Sequence, residues 1–280
     1  MRSSRNHVLV CYGDNLGYHH GAKYQILRGY NWLRNQRICV VTDQPELFDG
    51  YPVNVLALDQ KQIDEWTLKG QYHFGIKLGG LQLAINSAPN HINKSILLDA
   101  DMFWVRNPSQ IEQYISACSC ALYQDEGHIK GSKNASIRRY EEGLGAQRFL
   151  SDFWRYELSA QSKMWGSAII GIDHSNVYLL EEALDLFKLL SPHVKAHTVE
   201  QFALAETLRA HDIKTLAAKH LVDHWSSIGK KNYATPLLAE FFATYGEHNF
   251  NAHLNYVNQI QIKRPISVLI KQKIDRWKNK

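Results

Sequence analysis

The chain has 280 residues, 45% hydrophobic and 21% charged, enough apolar material for one large α/β domain and too ordinary a balance for a disordered or fibrous protein. Its formal charge of +5 is uneven, because residues 262–280 hold seven Lys/Arg and one Asp, leaving 25 basic against 26 acidic residues elsewhere. A neutral body argues against nucleic acid as a partner, and no apolar run reaches the length of a membrane span, so the expected location is cytoplasmic.

The chain opens with an apolar strand, Val8 to Tyr12, then a Gly-rich turn, Gly13 to Gly17, then a helix from about Gly21 to Arg34. The turn lacks the Gly-Lys-Ser/Thr ending of a phosphate-cradling loop and reads as either a plain turn or a ligand loop. Strand-like runs follow at Ile38 to Asp43 and Val53 to Ala57. Alternation of strands with helical segments predicts a mostly parallel sheet flanked by helices, whose ligands sit beyond the carboxyl ends of the strands. Those ends carry Tyr12, Gly13 and Asp43, suited to stacking or hydrogen-bonding a nucleoside. Between Tyr72 and Ser87, Phe74, Leu78, Leu81 and Ile85 recur at helical spacing, with Lys77 beside the apolar face. Lys77 either reaches towards donor phosphates or stays solvated.

The next run, Lys94-Ser95-Ile96-Leu97-Leu98-Asp99-Ala100-Asp101-Met102-Phe103-Trp104, is the centre of the reading. An apolar strand-like run stops on two carboxylates one residue apart. An Asp-x-Asp triplet arises by chance about once in a chain this long, so its place carries the meaning. At a strand's carboxyl edge the two carboxylates can approach one hard divalent cation and leave most of its coordination sphere to water and a diphosphate.

Four cysteines, Cys11, Cys39, Cys118 and Cys120, provide neither a disulfide framework nor zinc spacing. Residues 124–163 break the pattern with scattered glycines and the aromatics Phe149, Phe153, Trp154 and Tyr156, and read as an insertion beside the site, for acceptor recognition or as a surface excursion. Strand character resumes from Met164 to Asp173, with Gly166 and Ser167 permitting close backbone approach. Helices follow at about Val177 to Leu190 and Thr198 to Leu208. The second opens on a capping box, Thr198-x-x-Gln201, putting Glu200 and Gln201 in its first turn. After a short strand candidate, Ile213 to Ala217, comes an irregular segment with His224 and Lys230, then a helix from about Pro236 to Tyr245. One continuous domain, 1–261, is expected. In the tail, 262–280, Ile266, Leu269, Ile270, Ile274 and Trp277 share a helical face ringed by basic residues. Such a helix lies on an anionic membrane surface, peripheral to its inner face, or docks on the protein itself.

In order, Ser95-Ile-Leu-Leu-Asp-Ala-Asp-Met-Phe-Trp, Trp165-Gly-Ser-Ala-Ile-Ile-Gly-Ile, Glu200-Gln201 and His224-Trp-x-x-x-Gly-Lys230 resemble the GT-A-fold glycosyltransferases, nearest to their Asp-x-Asp-dependent, glycogenin-like (family 8 type) branch. The likeness spans roughly residues 7 to 232. It departs at Trp165, where that branch commonly has an Asn-x-Gly, and in the wider spacing between His224 and the following Gly. The resemblance implies a GT-A (Rossmann-like) sheet with a C-terminal helical extension, and transfer of a sugar from a nucleotide-diphosphate-sugar, with a UDP-sugar favoured, to a glycan, lipid-linked or other hydroxyl acceptor. It implies a divalent ion, Mn²⁺ or Mg²⁺, held by Asp99, Asp101 and His224. Lys77 and Lys230 would face the phosphates, Tyr12, Gly13 and Asp43 the nucleoside, Gly166 and Ser167 the sugar. Glu200 and Gln201 would face the anomeric carbon, Glu200 as a base in inversion or as a stabiliser of positive charge in the favoured, retaining course. The alternatives are a catalytically silent nucleotide- or sugar-binding protein of the same fold and an Asp-x-Asp phosphatase, whose motif normally lies on the first strand. A nucleotidyltransferase would show a Gly-rich, Arg-containing first loop, which this chain lacks.

Overall fold

The computed structural model describes residues 5–264 with 266, 268 and 269. The first half alternates strand and helix: β1 (Asn6–Val10), α1 (Leu16–Leu33), β2 (Arg37–Thr42), β3 (Asn54–Ala57), α2 (Gln60–Trp66), α3 (Ile76–Asn86) and β4 (Lys94–Leu98). Then come β5 (Met102–Trp104), β6 (Ser119–His128), α4 (Ala135–Leu144), β7 (Arg148–Leu150), β8 (Arg155–Glu157) and β9 (Lys163–Asp173). The chain continues through α5 (Tyr178–Leu190), α6 (Val199–Ala210), β10 (Lys214–Ala217), β11 (Val222–His224), α7 (Ile228–Tyr245) and α8 (Phe250–Tyr256).

Seven strands form the central sheet in the order β10-β6-β9-β4-β1-β2-β3, all parallel except β9, which runs against both β4 and β6. β4 is buried on both faces because its side chains alternate: Leu97 joins the layer built by α3, α5 and α6, while Ile96 and Leu98 join the layer under α1 and α7. Removing one such leucine to alanine costs about 2–5 kcal/mol. With both faces apolar over Ile96–Leu98, acidic charge returns only just past the strand, at Asp99.

Several element starts differ from the sequence expectations for local reasons. α1 begins at Leu16 because Asn15 caps it, its side chain accepting from Gly17 N. Thr198 does not form a capping box, since its hydroxyl instead bonds the Tyr140 hydroxyl at 2.8 Å. A capping box does form at α2, between Asp59 and Gln62. α7 starts at Ser227–Ile228 and carries Pro236 inside it rather than at its start, so the Asn232 carbonyl has no N–H from residue 236 to accept.

Residues 124–128 prolong β6, which contacts β9 through two register shifts, between Leu122 and Gln124 and between Asp125 and Gly127. Such bulges bend a strand and re-aim its side chains. The rest of the 124–163 stretch holds α4 and the β7–β8 hairpin. Phe149, Trp154 and Tyr156 are buried in the α5–α6 layer, and Trp154 Nε1 donates to Glu182 O at 2.8 Å. Most of the basic amphipathic tail expected over 262–280 lies outside the described residues. Among the described residues no helix is long and apolar enough to cross a membrane.

Candidate active site

Past β4 the chain makes one turn, Asp99-Ala100-Asp101, before β5, and this turn is fixed from three sides. Asp99 N donates to Ala168 O of β9 at 2.9 Å, extending the ladder by one residue. Gln25 of α1 donates to the carbonyls of Asp99 and Met102, each at 3.0 Å. Trp225 N, just after β11, donates to Asp101 O at 3.0 Å. α1 comes this close only because residue 21 is glycine, since a Cβ there would sit 2.2 Å from Ala100 O.

The two carboxylates have different partners. Lys77 Nζ, from α3, lies 3.2 Å from Asp99 Oδ1 and 3.3 Å from its Oδ2. The same ammonium donates to Ser167 Oγ at 3.1 Å and stands 3.6 Å from Glu200 Oε1. Ser167 donates to Glu200 Oε1 at 3.2 Å, and the Tyr72 hydroxyl donates to Glu200 Oε2 at 2.8 Å. Tyr72 also accepts from Val199 N and so clamps the first turn of α6. Burial works against the Lys77 ammonium, but Asp99 and Glu200 outweigh it and raise its pKa. Desolvation pushes both acids up from the usual carboxylate range, more than the shared Lys77 offsets.

Asp101 faces the other way. Its Oδ1 is 3.1 Å from His224 Nε2 and its Oδ2 is 2.9 Å from Lys231 Nζ. Burial raises its pKa, yet His224 and Lys231 prevail and hold it down to about 2. β5 pairs antiparallel with β11, aligning Met102 with His224, and this pairing carries the imidazole to Asp101. Lys230 Nζ donates back to His224 O at 2.7 Å.

A cleft of about 390 Å³ opens over the turn, lined by Tyr12, Gly13, Tyr18, His73, Phe74, Lys77, Asp99, Asp101 and Lys231 among others. Gly13, at φ +82°, shapes its rim, and both Asp43 oxygens accept from Gly13 N at 3.0 and 3.1 Å. Asp43 therefore holds the loop. Tyr12, Gly13, Lys77, Asp99 and Asp101 share this cleft, and Ser167 and Glu200 join it through Lys77. His224 and Lys230 line a second cleft, and His224 links it to the first through its contact with Asp101. Gly166 sits against Tyr123, and Gln201 is buried beside Glu200.

Two carboxylates and an imidazole are a donor set that suits a hard divalent cation. Asp101 and His224 already meet, whereas Asp99 is turned to Lys77, and among the described residues no three His, Cys, Asp or Glu groups converge to hold an ion. The donor chemistry fits such an ion; two of its three expected ligands are in contact.

No family model matches the chain, and no curated protein matches it in sequence. Among solved structures, an active-site mutant of LgtC aligns with 85% of this chain and 95% of its own at 8% identity and a TM-score of 0.52. The fold is GT-A-like. Mouse xyloside xylosyltransferase 1, in apo form, aligns over 76% of this chain and 85% of its own at 11% identity and a TM-score of 0.44. The 4-diphosphocytidyl-2C-methyl-D-erythritol synthase of Anaerococcus prevotii aligns over 85% and 99% at 9% identity and a TM-score of 0.42.

Within this GT-A-like frame, sequence reasoning missed Lys231, Tyr72 and Tyr18. Lys231 follows Lys230 in the first turn of α7, so a helix starting at Ile228 would have pointed to it. Tyr72 precedes α3 and carries no local signal for its bond to Glu200, 128 residues away.

Proposed function

We propose that the chain is a glycosyltransferase that moves a sugar from a nucleotide-diphosphate-sugar, a UDP-sugar by preference, to a hydroxyl of a glycan or lipid-linked acceptor. The observation that carries this reading is the pair Asp99 and Asp101 at the carboxyl end of the central strand, opening into a cleft with aromatic walls and lysines at Asp99 and Asp101. Such a cleft suits a planar base at one end and a diphosphate at the other.

In this account Tyr12 and the Gly13 backbone face the nucleoside, and Asp43 keeps the loop in shape. Asp99, Asp101 and His224 would hold a divalent cation, which supplies positive charge to the diphosphate. As the sugar departs, negative charge grows on the leaving oxygens, where Lys230 and Lys231 stabilise it. On the sugar side, Lys77 and Ser167 orient the Glu200 carboxylate, with Gln201 beside it. Both Glu200 oxygens are already engaged, so its role is to stabilise positive charge at the anomeric carbon, which favours a retaining course over general-base inversion.

The test is a panel of nucleotide-sugars incubated with the protein and Mn²⁺ without acceptor, measuring nucleoside diphosphate release. Slow release from one or a few donors is expected. No release from any donor, with nucleotide still bound, would favour a catalytically silent binding protein of this fold.

A further inference from the structure

Beside the donor cleft lies a second, larger one of about 650 Å³, bounded by Tyr123, Lys219, His220, Asp223, His224 and Lys230. Tyr123 joins it to the reacting end of the site. On one side a Cβ added to Gly166 would meet Tyr123 Cδ1 at 3.3 Å, and Gly166 precedes Ser167, which bonds Glu200. On the other, the Tyr123 ring stands edge-on to His224 at 5.3 Å between centroids, and His224 contacts Asp101. A molecule in this second cleft therefore rests against Tyr123 and His224, the residues that touch Gly166 and Asp101 of the site, within reach of a group accepting the sugar.

The walls are cationic. Lys219 Nζ donates to the neutral Gln124 Oε1 at 2.8 Å and lies 5.7 Å from the Tyr123 ring, and among the described residues it meets no carboxylate. Lys230 donates to a backbone carbonyl. Asp223, the acidic residue of the lining, has its Oδ1 taken by His224 N at 2.8 Å, with Lys230 at 4.0 Å. The Lys219 charge, left without an acid partner among the described residues and beside an aromatic wall, suits a sugar carrying a negative group: the ring rests on Tyr123 and the anion draws Lys219 from Gln124.

Resting on the glycosyl-transfer reading, we infer that this cleft is the acceptor site and that it selects acceptors bearing a phosphate or a carboxylate, with Lys219 as the selecting residue. The class of reaction that supplies such an acceptor is sugar phosphorylation or oxidation to a uronic acid.

The experiment titrates the full chain with a hexose 6-phosphate, a hexuronic acid and the matching neutral hexose, followed by chemical-shift changes at Tyr123 and Lys219, in wild type, Lys219→Ala and Lys219→Arg. At least one anionic sugar should bind roughly tenfold or more tightly than the neutral one, as expected for one charge-assisted hydrogen bond. Which of the two does so identifies phosphate or carboxylate as the recognised group. The preference should vanish in Lys219→Ala, persist in Lys219→Arg and weaken with salt. Equal binding of all three sugars, binding of none, or a preference that survives in Lys219→Ala would overturn the inference. Nucleoside diphosphate release by the same preparation separates the two failures. Release without an anionic preference leaves the transferase reading intact, and preference without release from any donor removes that reading alone.

Discussion

Lys77 Nζ stands 3.2 Å from Asp99 Oδ1, joining the helix before the central strand to the carboxylate at that strand's end. Because the same ammonium stands 3.6 Å from Glu200, it serves two acids at once, the half-buried Asp99 and the buried Glu200. Lys77→Met should destabilise the fold by about 3–5 kcal/mol at pH 8, the usual result of stranding buried charge. Without the lysine both acids rise further, so the folded state binds more protons than the unfolded state, and the variant should recover stability as pH falls towards 5. Denaturant unfolding at both pH values checks this; a small, pH-independent loss would contradict it.

Tyr72→Phe removes one hydrogen bond to the Glu200 carboxylate and the acceptor for Val199 N. A loss of about 1.5–3 kcal/mol is expected for a bond to a charged group. In a double-mutant cycle with Glu200→Gln the two losses should fall short of additive, since they share the bond.

For Asp101 the pKa of about 2 lies below its ordinary 3.8 because His224 and Lys231 hold it ionised. Its contribution to stability is present above about pH 4 and lost as pH falls through 2. Asp101→Asn should therefore cost up to about 2 kcal/mol at pH 7, measured by thermal or denaturant unfolding. Two neighbouring carboxylates considered alone suggest the opposite, a gain from relieved repulsion. His224 and Lys231 reverse the sign.

Elsewhere, His7 is buried with both ring nitrogens unpartnered, and burial with the nearby Arg5 charge lowers its pKa to about 3. The unfolded chain takes up this proton near pH 6.5 and the folded protein does not, so stability declines as pH falls below 6.5. His7→Leu should flatten that decline by about one proton, or about 1.4 kcal/mol per pH unit where the effect is fully developed. Unfolding free energies between pH 7 and 4 measure it.

The strands and their carboxylates were legible because burial on both faces demands an apolar run, and Asp99 and Asp101 stand where one such run stops. Lys77 was legible as a neighbour of the apolar face but not as an ion-pair partner of Glu200, since that contact links two residues 123 positions apart. The start of α7 was hidden by Pro236, which as a rule marks a helix's first turn; this displaced Lys231 from view. Thr198 shows the converse: a correct local signature lost to a tertiary partner, Tyr140, that no short window contains.

The most direct measurement is equilibrium titration of UDP into wild type and Asp101→Asn, each with Mn²⁺ and with EDTA. Mn²⁺-dependent binding to wild type is expected, with Tyr12 perturbed, and binding weakened at least tenfold in EDTA or in Asp101→Asn, from loss of a charge-assisted contact. Equal affinity in all four conditions would contradict the assignment of the Asp99–Asp101 turn as the diphosphate end of a donor site.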